Sequence, residues 1–214
     1  MTPRKRPGRP PADPARDLRA DLLRTSRALL DEGGPNALSM REVARRAGCT
    51  HQAPYHHFED RETILAALVA EGFDDLAGRL RGANEQAAAQ GARAALVASG
   101  LAYVGFALAQ PGVFRIMFRS DMCNPARFPL VREAGDRAHA ELLRLTGIVH
   151  GAAAGAARAT ILWAHAHGLA CLLVDGPLGA KLQDESERHA HLLEVAGLFA
   201  DQVLGVPPGS ASPG

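Results

Sequence analysis

The chain has 214 residues, room for one large domain or a small domain joined to a larger one. Hydrophobic residues make up 47% of it and aromatics only 5%, so the core must be built mainly from Ala, Leu and Val, a mixture that favours closely packed helices. Alternating runs rich in Val, Ile, Thr and Tyr are almost absent, which argues against sheets and for an all-α protein. The formal net charge of +1 hides an asymmetry. Through Arg61 there are twelve Lys and Arg against eight Asp and Glu, whereas the remainder has twelve against fifteen. A basic head on a mildly acidic body suits a nucleic-acid reader joined to a domain with another task. Cys49, Cys123 and Cys171 are widely spaced without a CxxC pair, so no disulfide framework or zinc cluster is implied. Residues 1–14 are basic and Pro-rich and lack the apolar stretch of a signal peptide. The longest apolar stretches are broken by His, Arg or Gly, so no membrane span and a cytoplasmic location are expected.

In chain order, residues 1–13 carry Arg4, Lys5, Arg6 and Arg9 among prolines and read as a disordered basic arm. A first helix is expected over residues 14–32, with Leu18, Leu22, Leu29 and Leu30 on one face and Gly33-Gly34 ending it. Ser39-Met40-Arg41-Glu42 has the form of a capping box, in which Ser accepts from the backbone three residues on and Glu reaches back. The helix it opens is short, because Gly48 follows. A third helix is expected over residues 50–57, limited by Pro54, and a fourth from an N-cap at Asp60 towards Leu80. The body continues with helices over about 92–109, 111–118, 130–146, 155–174 and 186–204, making about nine in all. The tail, 206–214, is rich in Pro, Gly and Ser and is expected to be disordered.

Two short helices joined by Ala47-Gly48-Cys49 form a helix-turn-helix candidate. Ala44 and Ala47 let the helices cross, and Val43 with Tyr55 or Phe58 closes the small core. The stretch LSMREVARRAGCTHQAPYHHFEDRETILAALV closely resembles the DNA-binding signature of TetR-family regulators. The resemblance rests on Val43-Ala44, Ala47-Gly48, Tyr55-His56-His57-Phe58 and Arg61, and covers about 50 residues with the preceding helix. Cys49 replaces the usual aliphatic residue and Arg61 the more frequent Lys. The resemblance implies a DNA-binding domain over residues 14–62 and an effector-binding and dimerisation domain over 63–205. It also implies a division of contacts. Thr50, His51, Gln52 and Tyr55 would face the major groove, with Gln52 suited to adenine and Arg41 to guanine. Tyr55, His56 and Arg61 would meet phosphates. Tyr55 has an alternative place in the core, and His57 is expected to pack against the first helix. Arg6-Pro7-Gly8-Arg9-Pro10 partly resembles an AT-hook core, against which stands a plain electrostatic tether.

In this family the C-terminal helices enclose a ligand and the last two pair with a second copy. Leu162, Leu169, Leu173, Leu192, Ala196, Phe199 and Val203 are the expected dimer contacts. Trp163-x-x-x-His167-Gly168 and Pro111–Phe118 resemble a Trp-His-Gly subclass. Phe106, Phe114, Met117, Phe118, Trp163 and His167 are the candidate pocket wall, each with a plain core role as its alternative. The pairs His165/His167 and His189/His191 point about 200° apart on a helix, so neither chelates one metal ion. No metal site, cofactor or enzymatic motif is expected. The function implied is a homodimeric regulator of double-stranded operator DNA bearing an inverted repeat, repressing until a small-molecule effector releases it. The alternative is a ligand-independent architectural DNA-binding protein.

Overall fold

The structure, a computed structural model, describes residues 17–206. Arg4, Lys5, Arg6 and Arg9, the expected helix start at residue 14 and the tail beyond 206 lie outside the described residues. Among the described residues there are nine α-helices and no strand. α1 (Leu18–Gly33) begins where the Asp17 carboxylate accepts from the Ala20 N–H at 3.1 Å. It buries Leu22, Leu23, Ser26, Leu29 and Leu30 at helical spacing and closes at Gly34, whose φ of 66° a side chain would disfavour. α2 (Met40–Arg46) starts with the Ser39 hydroxyl accepting from the Glu42 N–H at 3.2 Å. Only this half of the expected capping box is seen, because the Glu42 carboxylate instead accepts from Arg45 and Arg46.

The helix expected over 50–57 contracts to a single 3-10 turn, Ala53–His56. Pro54 supplies no N–H and disfavours helical geometry in the residue before it, leaving too few residues for an α-helix. α3 (Arg61–Ala88) is longer than expected, 28 residues or about 42 Å at the α-helical rise. Residues 64–70 are all buried, because this end of α3 passes between head and body, so the expected boundary at 62–63 falls inside its first turn.

The body consists of α4 (Ala92–Ala109), α5 (Pro111–Met117), α6 (Pro129–His150), α7 (Ala156–Val174), α8 (Pro177–Lys181) and α9 (Glu185–Leu204). Proline in the first turn opens α5, α6 and α8, where its missing N–H costs nothing. α8 was not expected, since five residues show too little periodicity. α3 packs chiefly on α6 and α4, and α4 also meets α7 and α9. α4 and α7 have the length and composition to cross a membrane, a property that apolar core helices share. In α4 that apolarity serves packing, with Tyr103, Val104, Phe106 and Ala107 buried.

One apolar cluster joins head and body, running from Leu22, Val43 and Phe58 through Leu65 to Phe106 and Ile116. A second, at the far end, gathers Ala87, Leu96, Leu145, Leu162 and Ala200. Each large aliphatic side chain so buried contributes roughly 1.5–3 kcal/mol. Polar joints add to the head–body contact. The Gly112 N–H donates to Asp31 Oδ1 at 2.8 Å, and Arg127 pairs with Asp60 at 3.0 Å and with Glu62. A Cβ on Gly112 would lie 2.6 Å from the Leu30 carbonyl carbon, so only glycine allows α5 to approach α1 this closely.

Candidate nucleic-acid interface and internal cavity

The head presents its polar side chains on a buried apolar frame. Val43, Ala44, Ala47 and Phe58 are buried beneath the turn, and Gly48 takes φ 67° to make it. Phe58 thus fills the core place for which Tyr55 was the alternative. Tyr55 is exposed, with its ring 6.1 Å from that of His51. Thr50, His51, Gln52 and His56 are exposed on the same turn, and Arg41 is exposed on α2. His57 is also exposed and does not pack as expected.

The arginines of the head divide by employment. Arg45 and Arg46 hold Glu42 at 2.6 and 3.1 Å, and Arg46 also reaches Glu32 at 2.5 Å. Hydrogen bonding from Arg45 holds the Glu42 carboxyl far below the usual range, at about 2. Arg61 donates from Nε to the Leu38 carbonyl at 2.8 Å and from Nη2 to that of Pro35 at 2.6 Å. It therefore clamps the loop before α2 and has less of its guanidinium to offer phosphate than sequence suggests.

The body encloses a cavity of about 250 Å³ among α3, α4, α6, α7 and α9. Of the candidate pocket residues, Phe118 and Trp163 line it. Phe114 and His167 form a layer behind, with ring centroids 5.3 Å apart and His167 4.8 Å from Phe118. Phe106 and Met117 are buried core side chains and no part of the wall: Phe106 is wholly inaccessible, and Met117 lies against Gly72 of α3. Sequence reasoning missed Tyr103, which organises the cluster. Its hydroxyl receives the Trp163 indole N–H at 3.2 Å and meets His167 Nδ1 at 2.9 Å. Burial pushes the Tyr103 pKa strongly upward, and desolvation lowers that of His167, which favours the neutral form of each. Ser99, Glu141, His139 and His165 also line the cavity. Tyr103 and Ser99 stand four apart on one expected helix, a pattern that could have flagged them.

The expected dimer residues fall mostly inside the protomer. Leu162, Leu173, Leu192 and Ala196 are buried, and Leu169, Phe199 and Val203 are half-buried. Leu162, Leu169, Leu192, Ala196 and Phe199 face the cavity. α7 is apolar on nearly all sides, so periodicity gave no means of telling its inner from its outer face. On these two helices the exposed large apolar side chains are Ile161, Trp163 and Leu172 of α7, and Leu193 and Leu198 of α9. Among the described residues no group of three or more His, Cys, Asp or Glu is placed to hold a metal ion.

Both halves of the chain match families of bacterial regulatory proteins. Residues 22–68 match the model described as bacterial regulatory proteins, tetR family, and residues 96–196 that of a tetracyclin repressor-like C-terminal domain. The chain is 33% identical over 75 residues to the HTH-type transcriptional repressor KstR2 of Rhodococcus jostii, covering 34% of this chain and 37% of that protein. An HTH-type transcriptional regulator of Mycobacterium bovis is 25% identical over 108 residues, 50% of this chain and 46% of the relative. The matches thus span less than half the length of these curated relatives. A solved protein of unknown function from Rhodococcus sp. RHA1 is 32% identical, with a TM-score of 0.73 over 91% of this chain and 97% of its own. The TetR-family regulator PfmR of Thermus thermophilus shares the fold, with a TM-score of 0.61 at 21% identity over 86% of this chain and 97% of its own. With head and body each matched and the same fold throughout, the chain belongs to the TetR family of bacterial transcriptional regulators.

Proposed function

We propose that this regulator is a homodimeric repressor that reads an inverted repeat in double-stranded DNA and is released from it by a small molecule. The observation that carries this reading is the union, in one chain, of an exposed helix-turn-helix surface and a partly open apolar cavity. Arg41 and Gln52 read bases, and Thr50, His51, Tyr55 and His56 complete the contact with the groove and its phosphates. Arg61 acts mainly by holding the loop that orients α2. The arm cations Arg4, Lys5, Arg6 and Arg9 add sequence-independent attraction to the duplex. The body, about residues 63–205, binds the effector and pairs with a second copy, using the outer faces of α7 and α9. Trp163, His167 and Gly168 support assignment to the Trp-His-Gly subclass. The protein acts on DNA in the cytoplasm and needs no cofactor.

α5 touches both sites: Phe118, at its end, lines the cavity, while Gly112 bonds α1. An occupant that displaces Phe118 thereby shifts the head, and the two reading surfaces lose their spacing on the repeat. The test is selection from randomised duplex DNA by the full chain at a stated salt concentration. An enriched inverted repeat is expected. Only salt-sensitive, sequence-blind binding would refute the reading and favour an architectural role.

A further inference from the structure

The cavity's hydrogen-bonding inventory is one-sided. Asn84, wholly buried, donates from Nδ2 to the Glu141 carbonyl at 3.2 Å and lies 3.5 Å from its carboxylate Oε2. Both of those groups only accept, so the amide orientation is fixed and Asn84 Oδ1 faces Ser99. Ser99 must therefore spend its one proton on Oδ1, at 2.5 Å. One helical turn along α4, Tyr103 is in the same position. The Trp163 indole only donates, so the Tyr103 oxygen accepts from it. With His167 in the tautomer that leaves Nδ1 unprotonated, the phenol proton goes to that nitrogen and no buried phenol proton is left unpaired. Ser99 and Tyr103 are both buried in the protein and both line the cavity, each with lone pairs to offer and no proton.

The charge inventory is equally restrictive. Among the described residues lining the cavity there is no Lys or Arg, so an anion finds no cation there. The one carboxylate, Glu141, accepts from Arg81 at 3.0 Å and Arg144 at 2.9 Å. Both guanidiniums are engaged by Glu141 and reach solvent rather than the cavity, so its carboxylate does not call for a ligand cation. Of the two lining histidines, His139 is exposed. His165 lies stacked on Phe199 at 3.6 Å with its Nε2 shielded.

We infer that the cavity selects a neutral, largely apolar molecule carrying a hydroxyl donor, an alcohol or phenol, whose proton is accepted by Ser99 or Tyr103. At about 250 Å³ the site lies just below the roughly 300–1,000 Å³ usual for drug-sized ligands, so the occupant is compact. This deepens the proposed effector function and rests on the cavity being the effector site.

The test titrates the full chain with four probes sharing one apolar body: 4-tert-butylcyclohexanol and the corresponding ketone, carboxylate and ammonium. Calorimetry gives affinities, and Trp163, the only tryptophan, reports occupancy by its emission. The alcohol is expected to bind about tenfold tighter than each of the others. Tyr103→Phe removes an acceptor and frees the Trp163 N–H as a donor, so the ketone should gain on the alcohol. Ser99→Ala should reduce the alcohol's lead without helping the ketone. Thermal melting checks that both variants fold. Equal or better binding of ketone, carboxylate or ammonium overturns the inference, as does binding of none of the four or an unchanged preference in both variants. Release from the selected DNA is measured separately. Alcohol binding without release leaves this inference standing and counts against the release mechanism.

Discussion

Four arginines within 21 residues of the head differ in what substitution should do, because the structure employs them differently. Arg41 is exposed and outside the ion pairs that hold Arg45 and Arg46 to Glu42. Arg41→Ala should leave the melting temperature unchanged and weaken binding to the selected repeat by about 1–3 kcal/mol, with sequence preference relaxed at one position. Fluorescence anisotropy on the repeat and on single-base variants measures both effects. Arg61→Ala should do the reverse. Its guanidinium satisfies the carbonyls of Pro35 and Leu38, so its loss should cost about 1–3 kcal/mol in urea denaturation. Arg61→Lys keeps the charge but not the two-pronged geometry, and should recover only part of that stability. Full stability of Arg61→Ala with weakened DNA binding would instead make Arg61 a phosphate contact.

Elements differ in how far they could be read from sequence. α4 has the expected bounds, 92–109, between Gly91 and Gln110-Pro111, and α9 begins one residue before the expected 186, capped by Asp184. Such ends are local chemistry. The 3-10 turn at Ala53–His56 was misread as a helix, because tertiary support from α2 and Phe58 lets a turn too short to stand alone hold its place. The cavity wall was legible only at Phe118 and Trp163. Tyr103 and Ser99 matter through partners 60 and 15 residues away, and spacing along one helix does not show such pairs. The same holds for α5 on α1, a close approach that glycine permits and sequence does not announce. Gly112→Ala should destabilise by about 1–3 kcal/mol, because the added carbon meets backbone atoms of α1 that cannot move aside cheaply. It should also weaken DNA binding more than the stability loss explains, since α1 must shift to accommodate it. A small change in the urea midpoint would show that α5 and α1 slide freely and would remove α5 as the link between cavity and head.

For the whole molecule, acid should be destabilising from near neutrality. Desolvation lowers the pKa of His165 and His167 below the ordinary 6.5 in the folded chain. The unfolded chain then binds more protons between the folded and unfolded values, so stability falls as pH drops through about 6.5. His165→Phe keeps the stack on Phe199 and removes one titrating ring, so its melting temperature should fall less between pH 7.5 and 5.5. An unaltered slope would place the effect elsewhere. Assembly is argued at the same scale. Leu162, Leu173 and Leu192, first expected at the interface, are buried in the protomer, so Leu173→Ala should cost about 2–5 kcal/mol of stability and leave association untouched. The exposed stripe of α7, with Ile161, Gly168 and Leu172, and the exposed Leu198 of α9 are what a second copy would cover. Leu198 is 64% exposed, so Leu198→Glu has little to disturb within one protomer. Across a two-fold interface the same change places two carboxylates in an apolar contact, and dimers should give way to monomers in sedimentation at unchanged helix content. Because two heads on one repeat gain by linkage, the monomer should bind the repeat roughly 100-fold more weakly, with its half-site affinity intact. A Leu198→Glu protein that still sediments as a dimer would mean that the pairing surface lies elsewhere, and the spacing of the reading heads would have to be derived from that other face.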